Sequence, residues 1–121
     1  IELTPKGIAK AKNIFIDELQ ISRPEKWDGK WRVVIFDIAE EKHRNRDIFR
    51  QNLERLGFEL VQESVYAYPF ECTREISFIS EILGIEKEVL IMISEIIQGE
   101  ENLIDHLLAK KVLTNNDLKN K

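Results

Sequence analysis

The run Trp31-Arg32-Val33-Val34-Ile35-Phe36-Asp37-Ile38 constrains the fold more than any other part of this chain. β-Branched and aromatic residues continue until one carboxylate interrupts them. A charged turn and helix, Ala39 to Asp47, follow at once. Such a pattern describes a buried strand that delivers a single acid, Asp37, to its carboxyl end, where a sheet presents side chains to a ligand.

The pattern either side of this strand predicts the rest of the fold. Ile48, Phe49, Leu53 and Leu56 recur at helical spacing, so a helix is expected over about 41–56, with Gly57 as its stop. Phe58 to Gln62 and Val65 to Tyr68 are strand-like and are separated by Glu63-Ser64. They form either a tight hairpin or one bent strand with a bulge, and Pro69 ends the second piece. Thr73 is the expected cap of a second helix, with Ile76, Ile79, Ile82 and Leu83 inward and Gly84 as its stop. Val89 to Ile93 reads as a fourth, buried strand, and residues 100–112 as a last helix carrying Leu103, Ile104, Leu107 and Leu108. The polar tail from Thr114 to Lys121 is expected to fray. Ahead of the first strand, Thr4-Pro5 reads as a helix start, with Ile8, Ala11, Phe15 and Leu19 as an apolar stripe. Pro24 and Asp28-Gly29 then mark a linker whose Trp27 and Trp31 pack it against the core.

The order is β-α-β-β-α-β, the ferredoxin-like α+β arrangement: a four-stranded antiparallel sheet with two helices on one face, plus flanking N-terminal and C-terminal helices. We read residues 1–24 as an N-terminal helix and linker, 25–98 as the ferredoxin-like domain, and 99–121 as a C-terminal helix and tail. The second face of such a sheet starts bare, so a second subunit, a flanking helix or both must cover it. Tyr66 and Tyr68 alternate with Val65 and Ala67, which makes one face of that strand aromatic. That face is expected to serve packing or an interface before RNA stacking.

Composition excludes several functions. One cysteine, Cys72, and two histidines rule out a disulfide framework and supply too few ligands for a Cys/His zinc site. There is no membrane-length apolar run and no signal-peptide pattern, so a cytoplasmic piece of a longer protein is expected. The net charge of −4 argues against a domain that grips nucleic acid unaided, but it is unevenly spread: +2 over residues 1–58 and −6 over 59–121. Lys42, Arg44, Arg46 and Arg50 gather the cations on one predicted helix, the candidate nucleic-acid-binding face. His43 stands in a charged helix start and is expected to face water. Cys72 precedes a predicted helix N-terminus, a position that lowers a thiol pKa, but without a histidine partner a packing role is expected.

Trp27-Asp28-Gly29-Lys30-Trp31-Arg32-Val33-Val34-Ile35-Phe36-Asp37-Ile38 resembles the start of the middle domain of PaaX-type transcriptional repressors. Arg44 to Asp47, Leu56-Gly57-Phe58, Gln62-Glu63-Ser64-Val65-Tyr66 and Pro69 continue the likeness in order. The same stretch is similar to the small ferredoxin-fold endonuclease family of CRISPR spacer acquisition. Leu3-Thr4-Pro5-Lys6-Gly7 resembles the segment that follows the wing of a winged-helix domain, which points to the regulator-like layout with its DNA reader outside this chain. Where the related pattern has Pro after Asp-Ile, this chain has Ala39.

The resemblance implies a homodimeric scaffold in a transcriptional regulator. The alternative it implies is a nuclease or a partner of the CRISPR integrase, with Asp37 in Mg²⁺-dependent phosphodiester cleavage. Mg²⁺ takes near-octahedral oxygen ligands, so one Asp37 per chain is a thin site. A two-fold dimer would pair two of them, with Glu40 or Glu41 as outer acceptors. The structural alternative for Asp37 is a bond to amides at the start of the next helix or to a nearby arginine. A ligand sensor in the style of acyl-CoA-responsive repressors is a third reading, without a phosphate-cradling glycine loop to support it.

Overall fold

In the computed structural model, which describes residues 15–95 and 97–120, strands and helices follow in the order β1 (Trp31–Phe36), α1 (His43–Arg55), β2 (Glu59–Gln62), β3 (Val65–Tyr68), α2 (Thr73–Ile82), β4 (Val89–Ser94) and α3 (Glu100–Ala109). The sheet order is β2-β3-β1-β4 with every neighbour antiparallel. This is the ferredoxin-like α+β fold expected of the β-α-β-β-α-β order.

Strand alternation divides the side chains between two faces. Val34 and Phe36 lie level with Tyr66, Ile91 and Val89 and face the helices. Phe36 meets Phe49 of α1 edge-to-face at 5.2 Å and stacks on Tyr66 at 6.0 Å. Both Tyr66 and Tyr68 are buried, and Tyr68 stacks on Phe58 at 4.4 Å. The aromatic face of β3 is therefore core, not a surface for bases or a partner.

Trp31, Val33 and Ile35 point to the second face, level with Ser94, Met92 and Leu90 of β4 and, for Val33 and Ile35, with Ala67 and Val65 of β3. α3 covers one end of this face. Leu103 and Leu107 are buried, Trp31 Nε1 donates to Glu100 Oε2 at 2.8 Å, and Lys110 and His106 reach Glu59 at 2.7 and 3.1 Å. Trp27 closes over Trp31 edge-to-face at 4.9 Å, and both indoles are fully buried, as their linker position implied.

α1, α2 and α3 each end in the same six-residue motif. After α1, Gly57 N–H donates to Glu54 O and Phe58 N–H to Leu53 O, with Gly57 at φ +101°. Gly84 does the same after α2. After α3 the left-handed position falls to Lys111, at φ +66°, with Val112 N–H donating to Leu107 O. β2 and β3 join through Glu63-Ser64 and also carry an irregularity between Leu60 and Gln62, so hairpin and bulge both occur.

Four expectations are corrected. Thr73 begins α2 without capping it: Cys72 holds the cap position, and the Glu71 carboxylate accepts from the Cys72 and Thr73 N–H groups at 3.0 and 2.9 Å. β4 is an edge strand and half exposed, because only β1 borders it. The tail from Thr114 is pinned: Asp117 is fully buried, Leu118 packs against the core, and residues 117–120 form a 3-10 turn. At the other end Ile16 is buried and Phe15 is exposed, so Ile16 takes the inward place expected of Phe15, while Leu19 packs against the core as its spacing suggested. Thr4, Pro5, Ile8 and Ala11 lie outside the described residues.

Candidate functional site

The uncovered part of the second sheet face and the acid at its rim form the candidate site. α3 and Trp27 protect the Trp31 end. At the opposite end Leu90 and Met92 remain 58% and 45% exposed, beside half-buried Val33, Ile35 and Val65. An apolar patch on a sheet face that ends in a charged rim marks a contact surface more often than idle exposure.

Asp37 follows the last residue of β1 and is exposed. Its N–H donates to Glu88 O at 3.0 Å, and the neighbouring Phe36 N–H donates to Ser64 O at 3.1 Å. The backbone here is thus held between the hairpin tip and the start of β4. The carboxylate itself has no hydrogen-bond or ion-pair partner among the described residues, which removes the expected bond to helix amides or to an arginine. Glu40 turns to Arg46 at 3.3 Å, and Glu41 is exposed in the same 3-10 turn. No group of three or more His, Cys, Asp or Glu side chains able to hold a metal ion occurs among the described residues.

The candidate basic face is partly neutralised. Lys42 Nζ bonds Glu88 Oε1 at 2.8 Å and Gly84 O at 3.2 Å, tying the start of α1 to the loop before β4. That bond holds the Glu88 carboxyl below its usual pKa. Arg46 pairs with Glu40 and lies 3.8 Å from Asp47. Arg44 is exposed and Arg50 half-buried, neither in an ion pair among the described residues. Arg46 and Arg50 lie four apart on one side of α1, Lys42 stands in the 3-10 turn just before the helix, and Arg44 is offset by half a turn from Arg46. His43 is exposed, its Nδ1 3.2 Å from Glu40 O.

At the opposite end of the sheet an unforeseen group does structural work. Arg32 is buried on the helix face, donating to both Asp28 oxygens at 2.8 and 2.7 Å and to Pro69 O at 2.8 Å. The pairing lowers the Asp28 carboxyl and raises the Arg32 guanidinium. The available signal was a lone arginine in an apolar strand four residues after an aspartate. Cys72 lies buried nearby, and burial, with Glu71 and Glu75 adding to it, pushes its thiol up to about 12. The helix N-terminus does not activate it.

The described residues include no helix long and apolar enough to cross a membrane. Neither the curated proteins nor the solved structures returned a match. The family model described as the PaaX protein central Cas2-like domain matches residues 24–104. That span opens just before the Asp28–Arg32 pair, takes in the whole sheet and runs into α3, so it covers well over half of the sequence. The chain belongs to the family of PaaX central Cas2-like domains.

Proposed function

We propose that this chain is the dimerisation and scaffold domain of a PaaX-like transcriptional regulator, with operator reading done by a winged-helix part outside it. The observation that carries this is the half-covered sheet face. Leu90 and Met92 stand exposed beside Val33, Ile35 and Val65, and a second copy laid on them two-fold buries an apolar surface. The ion pairs of Lys42 and Arg46 and the net charge of −4 support a domain that holds copies together in preference to one that grips DNA. Sedimentation or light scattering tests it. The wild-type chain is expected to be a dimer at micromolar concentration, and Met92→Lys a monomer with unchanged circular dichroism. A monomeric wild type overturns the reading.

A second reading, metal-dependent nuclease action or partnership with a CRISPR integrase, draws on one observation: the exposed Asp37 carboxylate at the rim of the same face. Pairing of the faces would gather one Asp37 from each copy. Cleavage of labelled DNA and RNA with Mg²⁺, beside Asp37→Ala, separates the readings: activity lost in the variant supports the nuclease, and equal traces in both eliminate it.

A further inference from the structure

We propose that the free edge of β4, with the groove between it and α2, is a strand-addition site for an extended peptide of a protein partner that carries a lysine or arginine side chain. The site is distinct from the sheet face used above. It uses the edge of the sheet and the opposite face of β4.

The backbone directions follow from the ladder. Asp37 N–H bonds Glu88 O, and β1 pairs with β4 in the register Phe36↔Val89 to Trp31↔Ser94. In an antiparallel pair, hydrogen-bonded positions recur every second residue, so Leu90, Met92 and Ser94 direct their backbone groups to β1. Val89, Ile91 and Ile93 direct theirs outward, and no strand among the described residues receives them. The run Val89-Leu90-Ile91-Met92-Ile93-Ser94 contains no charge and no proline, the usual devices that keep an edge from pairing. The other edge is treated differently: β2 has four residues, an irregular register, and α3 beside it. Ile93 is 56% exposed on the free edge.

Beside that edge lies a groove of about 110 Å³. Ile76, Val89 and Ile91 make its apolar floor, and Ser77, Glu81 and Glu86 its exposed rim. An added strand places alternate side chains over such a groove, so main-chain bonds supply affinity and the groove supplies selectivity. Neither Glu81 nor Glu86 is in an ion pair among the described residues. Their charge selects a cationic side chain with an apolar stem, which lysine and arginine both offer. The same charge disfavours a second copy, since two-fold pairing through β4 would set two acidic rims against each other.

Fluorescence anisotropy with the whole chain tests this, using a capped, labelled peptide of alternating valine and lysine and its glutamate counterpart. The lysine peptide is expected to bind at least about tenfold more tightly. Glu81→Lys combined with Glu86→Lys, both at exposed positions, is expected to invert the preference. Ile93→Pro removes one outward N–H without touching the β1 ladder, and is expected to weaken the lysine peptide by about tenfold. Leu60→Lys, at an exposed position of β2 on the opposite edge of the sheet, should leave binding unchanged. Equal binding of the two peptides, no binding at millimolar protein, or indifference to Ile93→Pro overturns the proposal. So does a wild-type dimer that Ile93→Pro, but not Met92→Lys, converts to monomer, because the edge then belongs to a second copy.

Discussion

Asp117 ties the end of the chain to the linker before β1, and its removal has a calculable cost. Its carboxylate is fully buried and accepts from Arg23 Nη2 at 2.8 and 2.9 Å, Trp27 N at 3.2 Å, Thr114 N at 2.8 Å and Thr114 Oγ1 at 2.9 Å. Hydrogen bonds to a charged group are worth about 1.5–3 kcal/mol each, and a buried N–H left unpaired costs about 1–3 kcal/mol. Arg23 is 38% exposed and rehydrates when its partner goes, so its bonds count for little. The Trp27 and Thr114 amides dominate, and Asp117→Ala should cost about 3 kcal/mol, or about 10 °C in Tm. Denaturant titration followed by tryptophan fluorescence measures it. Burial alone would raise this carboxyl, but bonds from Arg23 and Thr114 outweigh it and hold the pKa below the usual aspartate value. The stabilisation is therefore complete above the unfolded-state pKa of about 3.9 and is lost as pH falls through the lower folded-state value. Asp117→Asn should lack that part of the acid limb below about pH 4. A loss under about 1 kcal/mol for the alanine variant, or an acid limb of equal depth in the asparagine variant, would refute this account of the tail.

Lys111 holds a left-handed conformation that glycine adopts without penalty, so Lys111→Gly should stabilise the chain by about 0.5–1 kcal/mol, read from the same titrations. Gly57→Ala should do the reverse by about 2 kcal/mol, because φ is +101° and a Cβ would meet Val112 Cγ2 at 2.9 Å. Cys72, with its thiol raised to about 12, should resist Ellman's reagent at pH 8 in the native state and react fully in denaturant. Rapid native labelling would show that the pocket around it opens.

Periodicity made the sheet and its helices legible because each buries one face against the other. Ile48, Phe49 and Leu53 had to be helical, and Val34 and Phe36 had to share a face. Gly57 and Gly84 fixed two helix ends for a steric reason visible in the sequence. The end of α3 was placed three residues late because Lys111 performs the glycine's role, and composition gives no sign of it. The tail misled for a related reason. Thr114, Asn115, Asn116 and Asp117 look like solvent-exposed polar residues, yet one buried carboxylate satisfied by the distant Arg23 and Trp27 anchors them. A contact across some ninety positions has no local signature.

The candidate site was legible in one respect and illegible in another. That Asp37 stands at the end of a buried strand follows from the residues before it, and no partner captures its carboxylate among the described residues. Which part of the sheet stays bare depends on where α3 lands. That is settled by Trp31 and Glu59, whose bonds to Glu100, His106 and Lys110 hold the helix over the β2 side. β4 is left as an edge with both faces partly open. Its uncharged sequence, which suggested a buried strand, belongs instead to a half-exposed edge. Apolar side chains on a central strand are satisfied within the chain, whereas on an edge they remain a standing demand for a second surface. Leu90 and Met92 direct that demand to one side of the sheet and Ile93 to the other, so two different contacts can be made by one strand.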